Sequence, residues 1–195
     1  MREIPKAILS NCRSGVSAFV SRRIVIAYWL IPADPAHSFF QGVINDLARR
    51  YDAPLFEPHV TVYVGANQVD AAEKALSKAA REYQPIKLKT LEVDQSSEFI
   101  KTLFVQFAPS AKLQRLNESI REAAQDSSQY GLQPHLSLLY KKMPAVARRE
   151  LADSIKVPFS EVIFDALKAV RCISPTRSRG DVELWRVVGT KKLCG

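Results

Sequence analysis

Two of the chain's three histidines stand in the same short phrase. Residues 57–65 read EPHVTVYVG and residues 133–140 read QPHLSLLY. Each copy has Pro, then His, an apolar residue, a hydroxyl residue and further apolar residues. The pair His59 and Thr61 is thus repeated as His135 and Ser137, 76 positions later. Side chains alternate between the two faces of a strand. His59, Thr61 and Tyr63 therefore share one face, and Val60, Val62 and Val64 take the other. In the second copy His135 and Ser137 share a face, and Leu136 and Leu138 point to the core. Each strand is expected to present an imidazole and a hydroxyl on a surface that is not core.

Two such strands facing each other supply two imidazoles and two hydroxyls. One imidazole can take a proton from water while the other gives one to a leaving oxygen. An ordinary histidine pKa of about 6.5 suits both jobs. Two short hydroxyls can donate hydrogen bonds to charged oxygens held between them. A phosphodiester matches this set, with two non-bridging oxygens, an attacking water and a leaving alkoxide. A metal centre does not match it, because no acid or thiol partner recurs in the frame: Glu57 precedes His59 by two, but Gln133 stands in the equivalent place. There is no G-x-S-x-G serine-hydrolase elbow, and only seven glycines in all. A single His-x-Thr would read as an ordinary strand; the doubling makes it a candidate site. His37 lies outside the motif and reads as a surface or boundary residue.

The elements that must position these residues alternate along the chain. Residues 22–32 are β-rich and end at Pro32. Residues 34–51 read as a helix, with Asp34 as N-cap and Pro35 at the first helical position. A strand at 54–65 and an Ala-rich helix at 69–84 follow, the latter stopped by Pro85. Residues 86–95 and 102–108 read as antiparallel neighbours. The order then repeats: helix at 109–126, strand at 134–140, helix at 144–156, strands at 160–173 and 181–190. The loop 174–181, with Pro175, Arg177, Arg179 and Gly180, reads as mobile or ligand-facing. Two similar halves, each a helix, a Pro-His strand and a helix, give an α+β class with largely antiparallel sheets.

The 195 residues suffice for one domain or two closely joined lobes, and no apolar run approaches the roughly 20 residues of a membrane helix. Net charge is +8 but sits at the ends: residues 1–23 and 171–195 each carry +4, and residues 24–170 sum to zero. That disfavours a duplex-DNA binder and fits a small anionic ligand or an RNA end. Cys12, Cys172 and Cys194 are too few and too widely spaced for a disulfide framework or a zinc signature, so a reducing, cytoplasmic setting is expected. Cys172 reads as an inert core thiol. Residues 1–22 read as a basic N-terminal extension, residues 23–190 as one bilobal catalytic domain and residues 191–195 as a tail. An organelle-targeting role for residues 1–23 is the lesser reading of their Arg- and Ser-containing composition.

The paired motifs resemble those of the two-histidine (2H) phosphoesterase superfamily, and FEPHVTVYVG with PHLSLLYKK resembles its plant and microbial cyclic phosphodiesterase branch. The segments IAYWLIPAD and VELWRVV are also similar to that branch, so the likeness covers about residues 23–190. It implies a bilobal fold of two pseudo-symmetric lobes, each with a mainly antiparallel sheet and flanking helices, around a central water-filled cleft. It implies hydrolysis, without metal or other cofactor, of nucleoside 2′,3′-cyclic phosphates to 2′-phosphates, or of ADP-ribose 1″,2″-cyclic phosphate. By position it makes His59 and His135 the acid–base pair, with His135 as base and His59 as acid, and Thr61 and Ser137 the phosphate-binding hydroxyls. Tyr63, Tyr140 and Trp185 are its further substrate-binding candidates. Tyr140 has the wrong parity for the cleft unless a bulge or the strand's end turns it inward. Lys141 replaces the usual Gly after that Tyr and bears on the shape of the entrance. The partners implied are a small cyclic nucleotide or ADP-ribose cyclic phosphate, with no membrane and a monomeric state. The competing readings are an RNA-end 2′–5′ phosphodiesterase or ligase-like enzyme acting on RNA 3′ ends, and a nucleotide- or RNA-binding module without turnover.

Overall fold

The computed structural model describes residues 21–125 and 130–195. Most of the expected extension, with Cys12, lies outside the described residues. The described chain runs β1 (Arg23–Pro32), α1 (Ala36–Tyr51), β2 (Val60–Ala66), α2 (Val69–Glu82), β3 (Ile86–Gln95), β4 (Leu103–Phe107), α3 (Ala111–Ala123), β5 (His135–Leu139), α4 (Ala145–Ser154), β6 (Glu161–Ser174), α5 (Arg179–Glu183) and β7 (Arg186–Lys192). Each half is strand, helix, motif strand, helix, strand: β1-α1-β2-α2-β3, then β4-α3-β5-α4-β6. The short α5 and β7 are appended.

All seven strands pair antiparallel, in the order β1-β2-β5-β4-β3-β6-β7, and β1 also pairs with β6. The strands form two groups, β1-β2-β6-β7 and β3-β4-β5, which are the two lobes. They join where Val60 of β2 pairs with Leu136 of β5, and where β3 pairs with the start of β6. The lobes meet, then, beside the two motif histidines.

The helices cross between halves. α1 follows β1 but packs on β5 as well as β1, and α3 follows β4 but packs on β2. Their apolar stripes explain this. Phe40, Ile44, Leu47 and Ala48 of α1, and Leu113, Leu116 and Ile120 of α3, are buried at helical spacing. Val60, Val62, Leu136 and Leu138 of the motif strands are at most 1% exposed and meet those stripes in the main core. Burying a side chain of this size stabilises by roughly 1.5–3 kcal/mol, so the core-facing side of each Pro-His strand is fixed by several such contributions. α2 offers Ala72, Ala75, Leu76 and Ala79 to the strands beneath it. Gly189 of β7 allows that approach, since a Cβ there would lie 3.0 Å from Leu76 Cδ1.

Three boundaries differ from expectation. The first helix starts at Ala36, and Asp34 serves it from one residue further out, its carboxylate accepting from the Ser38 amide and hydroxyl. Residues 181–190 are not one strand. Ser178 and Asp181 form a reciprocal capping box that turns residues 179–183 into α5, and the strand begins only at Arg186. The end of the chain is not a loose tail either. β7 runs to Lys192, and Leu193 is buried, its amide donating to the Asp165 carbonyl.

Candidate active site

A cavity of about 370 Å³ opens between the lobes, and His59, Thr61, His135 and Ser137 all line it. The structure thus brings both halves of the doubled motif to one cleft. The size suits a small ligand. The cleft faces of β1 and β6 are apolar: Val25, Ala27, Trp29 and Ile31 meet Ala166, Val170 and Cys172 in a second buried cluster, separate from the main core.

The two histidines are held alike. His59 Nδ1 lies 2.6 Å from the carbonyl of Glu57, and His135 Nδ1 lies 2.7 Å from that of Gln133. A carbonyl only accepts, so Nδ1 carries the proton in both rings. Nε2 is left as the titrating atom. Burial, the largest cause, lowers both pKa values. His59, only 6% exposed, drops to about 4, opposed by its bond to Glu57 and helped by the charges of His135 and Lys168. His135 is less enclosed and is also lowered, with Lys101 pushing it down and the Gln133 bond and Glu98 pushing it up.

The surroundings of the rings differ. Trp29 stacks face to face on His59, centroids 3.8 Å apart and planes 12° apart. Phe104 stands at the matching place in the other half, opposite Ser137 as Trp29 is opposite Thr61, and meets His135 edge-on at 5.5 Å. Trp185 lines the cavity and packs its edge on Trp29 at 5.1 Å. Its indole Nε1 is buried with no hydrogen-bond partner among the described residues.

Beyond the hydroxyls, strict alternation fails, and it fails identically in both halves. In β2, Tyr63 pairs with Tyr28 and Thr61 with Trp29, so Val62 is an extra, bulged residue. In β5, Leu139 pairs with Leu103 and Ser137 with Phe104, so Leu138 is the bulge. Each bulge falls three residues after its histidine. It turns two successive side chains to the core and reverses the parity of all that follow. Tyr63, expected in the cleft, is therefore fully buried in the main core, while Val64 lines the cavity. Tyr140, expected to point away, lines the cavity. The bulge in β2 leaves a backbone carbonyl that the buried Asn117 of α3 satisfies, its Nδ2 donating to Val62 O at 2.6 Å.

Tyr140 joins the two sides of the cleft. Its ring stacks on Phe56 at 3.8 Å and meets Trp185 at 5.9 Å, and its hydroxyl lies beside Ser137. Burial raises the Tyr140 pKa, so this hydroxyl stays protonated. Ser137 Oγ donates to the Ile100 carbonyl at 2.8 Å, and a bound oxyanion would have to draw that proton away. Cys172 lines the cavity, but burial pushes its thiol up to about 12, which keeps it an inert wall group. His37 sits outside, 3.7 Å from Glu57. Arg179 and Lys141 both bind Asp52, through its carboxylate and its carbonyl, and so tie α5 and the segment after β5 to the end of α1. Among the described residues, no group of three or more His, Cys, Asp or Glu side chains is placed to hold a metal ion. No described helix is long and apolar enough to cross a membrane.

Sequence reasoning missed Trp29, Phe56, Tyr130 and Arg23, all near or in the cavity. Only Trp29 had a legible signal. The run of residues 24–31 is apolar at both parities, which marks a strand covered on two faces.

Known proteins resemble this chain over most of its length. The family model described as cyclic phosphodiesterase-like protein matches residues 24–193. A cyclic phosphodiesterase from Arabidopsis thaliana is 24% identical over 179 residues, covering 88% of this chain and 97% of that protein. Among solved structures, TT0787 of Thermus thermophilus superposes with a TM-score of 0.58 at 16% identity, over 88% of this chain and 98% of that one. The apo form of Escherichia coli LigT superposes with a TM-score of 0.57 at 17% identity, over 90% and 100% of the two chains. Its complex with 3′-AMP gives 0.55 at 16% identity, over 87% and 98%. At these identities the structural likeness is one of fold. The match of the family model over nearly all described residues, with the doubled motif at the cleft between two antiparallel lobes, shows that the chain belongs to the cyclic phosphodiesterase-like family of two-histidine phosphoesterases and is a phosphodiesterase.

Proposed function

We propose that the protein hydrolyses small cyclic phosphodiesters, nucleoside 2′,3′-cyclic phosphates to 2′-phosphates or ADP-ribose 1″,2″-cyclic phosphate, with His59 and His135 as the acid–base pair. The observation that carries this reading is the matched hold on the two rings: each Nδ1 is bound to the carbonyl two residues earlier, in a single nucleotide-sized cavity. Water attacks phosphorus, and its proton goes to one Nε2. The bond from phosphorus to the 3′ oxygen breaks, and the other Nε2 protonates that oxygen. Thr61 and Ser137 bind the non-bridging oxygens, and the buried indole N–H of Trp185 is a further donor at the same cleft. Tyr140 supports Ser137, and its ring and that of Trp185 form the aromatic wall for the nucleoside. The 3′-AMP bound to the LigT structure supports a nucleotide in the cleft.

The split of roles follows burial. His135, less enclosed and near Glu98, takes a proton more readily than His59. A singly protonated pair therefore carries its proton on His135, which makes His135 the acid and His59 the base. This reverses the division that the resemblance suggested. We place the enzyme in the cytoplasm on its few, widely spaced cysteines, and as a monomer because one chain supplies the whole cleft. The neutral middle of the chain favours a small nucleotide over an extended RNA track.

Incubating the protein with the four 2′,3′-cyclic nucleotides and ADP-ribose cyclic phosphate in excess EDTA, followed by phosphorus NMR, tests the reading. Turnover to 2′-phosphates is expected, and His59→Ala or His135→Ala should each reduce it at least ~100-fold with the fold retained. No turnover of any of these compounds would sink the reading. Binding of nucleotides without turnover would favour a binding module.

A further inference from the structure

Glu57 and Gln133, two residues before the motif histidines, do the same double job. The backbone carbonyl of each holds the Nδ1 proton of its histidine. The side chain of each is held by a lysine from another element. Lys168 of β6 donates to both carboxylate oxygens of Glu57 at 2.6 Å, and Lys101 donates to Gln133 Oε1 at 3.3 Å. The two supports are unequal. The first is a charged, two-oxygen clamp that is half-buried; the second is neutral, longer and exposed.

Lys168 occupies an unusual place. It interrupts the cleft-facing row of Ala166, Val170 and Cys172, all buried. A lysine in such a row loses hydration, and only a close partner offsets the loss. Lys168 also pairs in register with Trp29, whose indole stacks on His59. One face of His59 therefore rests on the strand that carries Trp29, and its Nδ1 rests on the peptide that carries Glu57. Lys168 ties that peptide to the same pair of strands.

We propose that the Glu57–Lys168 pair is a positioning device for His59, which locks the peptide carbonyl that holds the Nδ1 proton and so keeps Nε2 as the atom presented to the cleft. The pair touches no reacting atom, and the role rests on the reading of His59 as one of the acid–base groups. The charged groups around His59 are Glu57, Lys168 and His135, with His37 reaching Glu57 from α1.

The test uses the full chain and three variants: Lys168→Met, Glu57→Ala, which removes the carboxylate of the clamp, and Lys168→Arg. Kinetics on a 2′,3′-cyclic nucleotide are read beside nitrogen-15 NMR of the imidazoles, with His59→Ala to assign His59. In the wild type, His59 should show only the Nδ1-protonated tautomer. In Lys168→Met and Glu57→Ala an Nε2-protonated fraction should appear, and kcat should fall at least ~5-fold with KM within twofold. Lys168→Arg, which keeps a charged clamp on Glu57, should leave both as in the wild type. A wild-type tautomer pattern in folded Glu57→Ala or in folded Lys168→Met overturns the proposal, whatever the rate. So does a kcat within twofold of wild type. If the wild type turns over no cyclic phosphate, the functional reading fails, and the tautomer measurement alone decides whether the pair positions His59.

Discussion

Because both imidazoles are driven toward their neutral forms, the pH dependence of kcat/KM should be displaced to the acid side. A base must be unprotonated to accept from water, and an acid must be protonated to donate. With His59 at about 4, the acid limb falls only as pH approaches 4. At pH 5 an imidazole of ordinary pKa would be about 3% neutral, whereas His59 is about 90% neutral, a ~30-fold difference. The His135 pKa is also below its ordinary value, so the alkaline limb begins below pH 6.5. At pH 8 at most about 3% of such a group is protonated, and kcat/KM should lie at least ~30-fold below its maximum. With uridine 2′,3′-cyclic phosphate as the substrate, the phosphodiester stays a monoanion and the base stays neutral to beyond pH 8, so the substrate adds no limb of its own to the pH range compared.

The assay is initial rate at low substrate from pH 3.5 to 9, at constant ionic strength, with stability checked at each pH. The two flanks belong to the pair as a whole, since the rings feel each other's charge. Saturating substrate should move the alkaline limb of kcat upward, because a bound anion favours the imidazolium. A phosphodiester with a p-nitrophenolate leaving group needs no proton on departure. With it, the deficit of His135→Ala should shrink below ~10-fold while that of His59→Ala stays at ~100-fold or more. A kcat/KM that rises steadily to pH 8, or an acid limb centred at pH 6 or above, would refute the electrostatic reasoning. Rescue of His59→Ala instead of His135→Ala would refute the assignment of roles.

The two tyrosines should separate. Tyr140→Phe removes the hydroxyl beside Ser137 at the cavity and should lower kcat/KM by roughly 2- to 12-fold, the worth of one neutral hydrogen bond made when the ligand is bound, with little change in melting temperature. Tyr63→Leu leaves a cavity in the main core and should cost about 2 kcal/mol or more of stability, with kcat/KM per folded molecule within threefold. A kinetic effect of Tyr63→Leu larger than that of Tyr140→Phe would contradict the parity reversal. Asn117→Leu strands the bulged Val62 carbonyl and should destabilise by about 1–3 kcal/mol; urea unfolding that leaves it as stable as wild type would show that the bulge needs no such partner.

Much of the site was legible because periodicity and chemistry agreed. Val60, Val62, Leu136 and Leu138 specify the core face of each strand, and His59, Thr61, His135 and Ser137 fall on the opposite face by parity alone. The helices at residues 36–51 and 69–82 carried clear apolar stripes. The strand expected at 181–190 was misread because VELWRVV is β-rich, while the decisive residues were the cap pair Ser178 and Asp181 just before it. Propensity lost there to a local hydrogen-bonding box. The crossing of α1 onto β5 and of α3 onto β2 has no local signal, since an amphipathic stripe does not name the strand that it covers.

The bulges mark where a strand sequence stops determining its own geometry. Nothing in HVTVYV or HLSLLY identifies Val62 or Leu138 as the extra residue, because apolar side chains at these positions suit either face. What decides is the partner strand. Trp29 and Phe104 stand opposite the two hydroxyls, and each needs the cleft side for an aromatic ring against a histidine. The main core beyond them takes the next two apolar side chains of each motif strand, and a bulge is the way to deliver both. The same solution at the same offset in both halves ties it to the shared geometry of the motif rather than to local composition. The residue five after the histidine thereby enters the cavity in each half, as Val64 on one side and Tyr140 on the other. The cleft is therefore symmetric in its histidines and hydroxyls and asymmetric in its walls, a combination that suits the proposed binding of an asymmetric nucleotide between two like motifs.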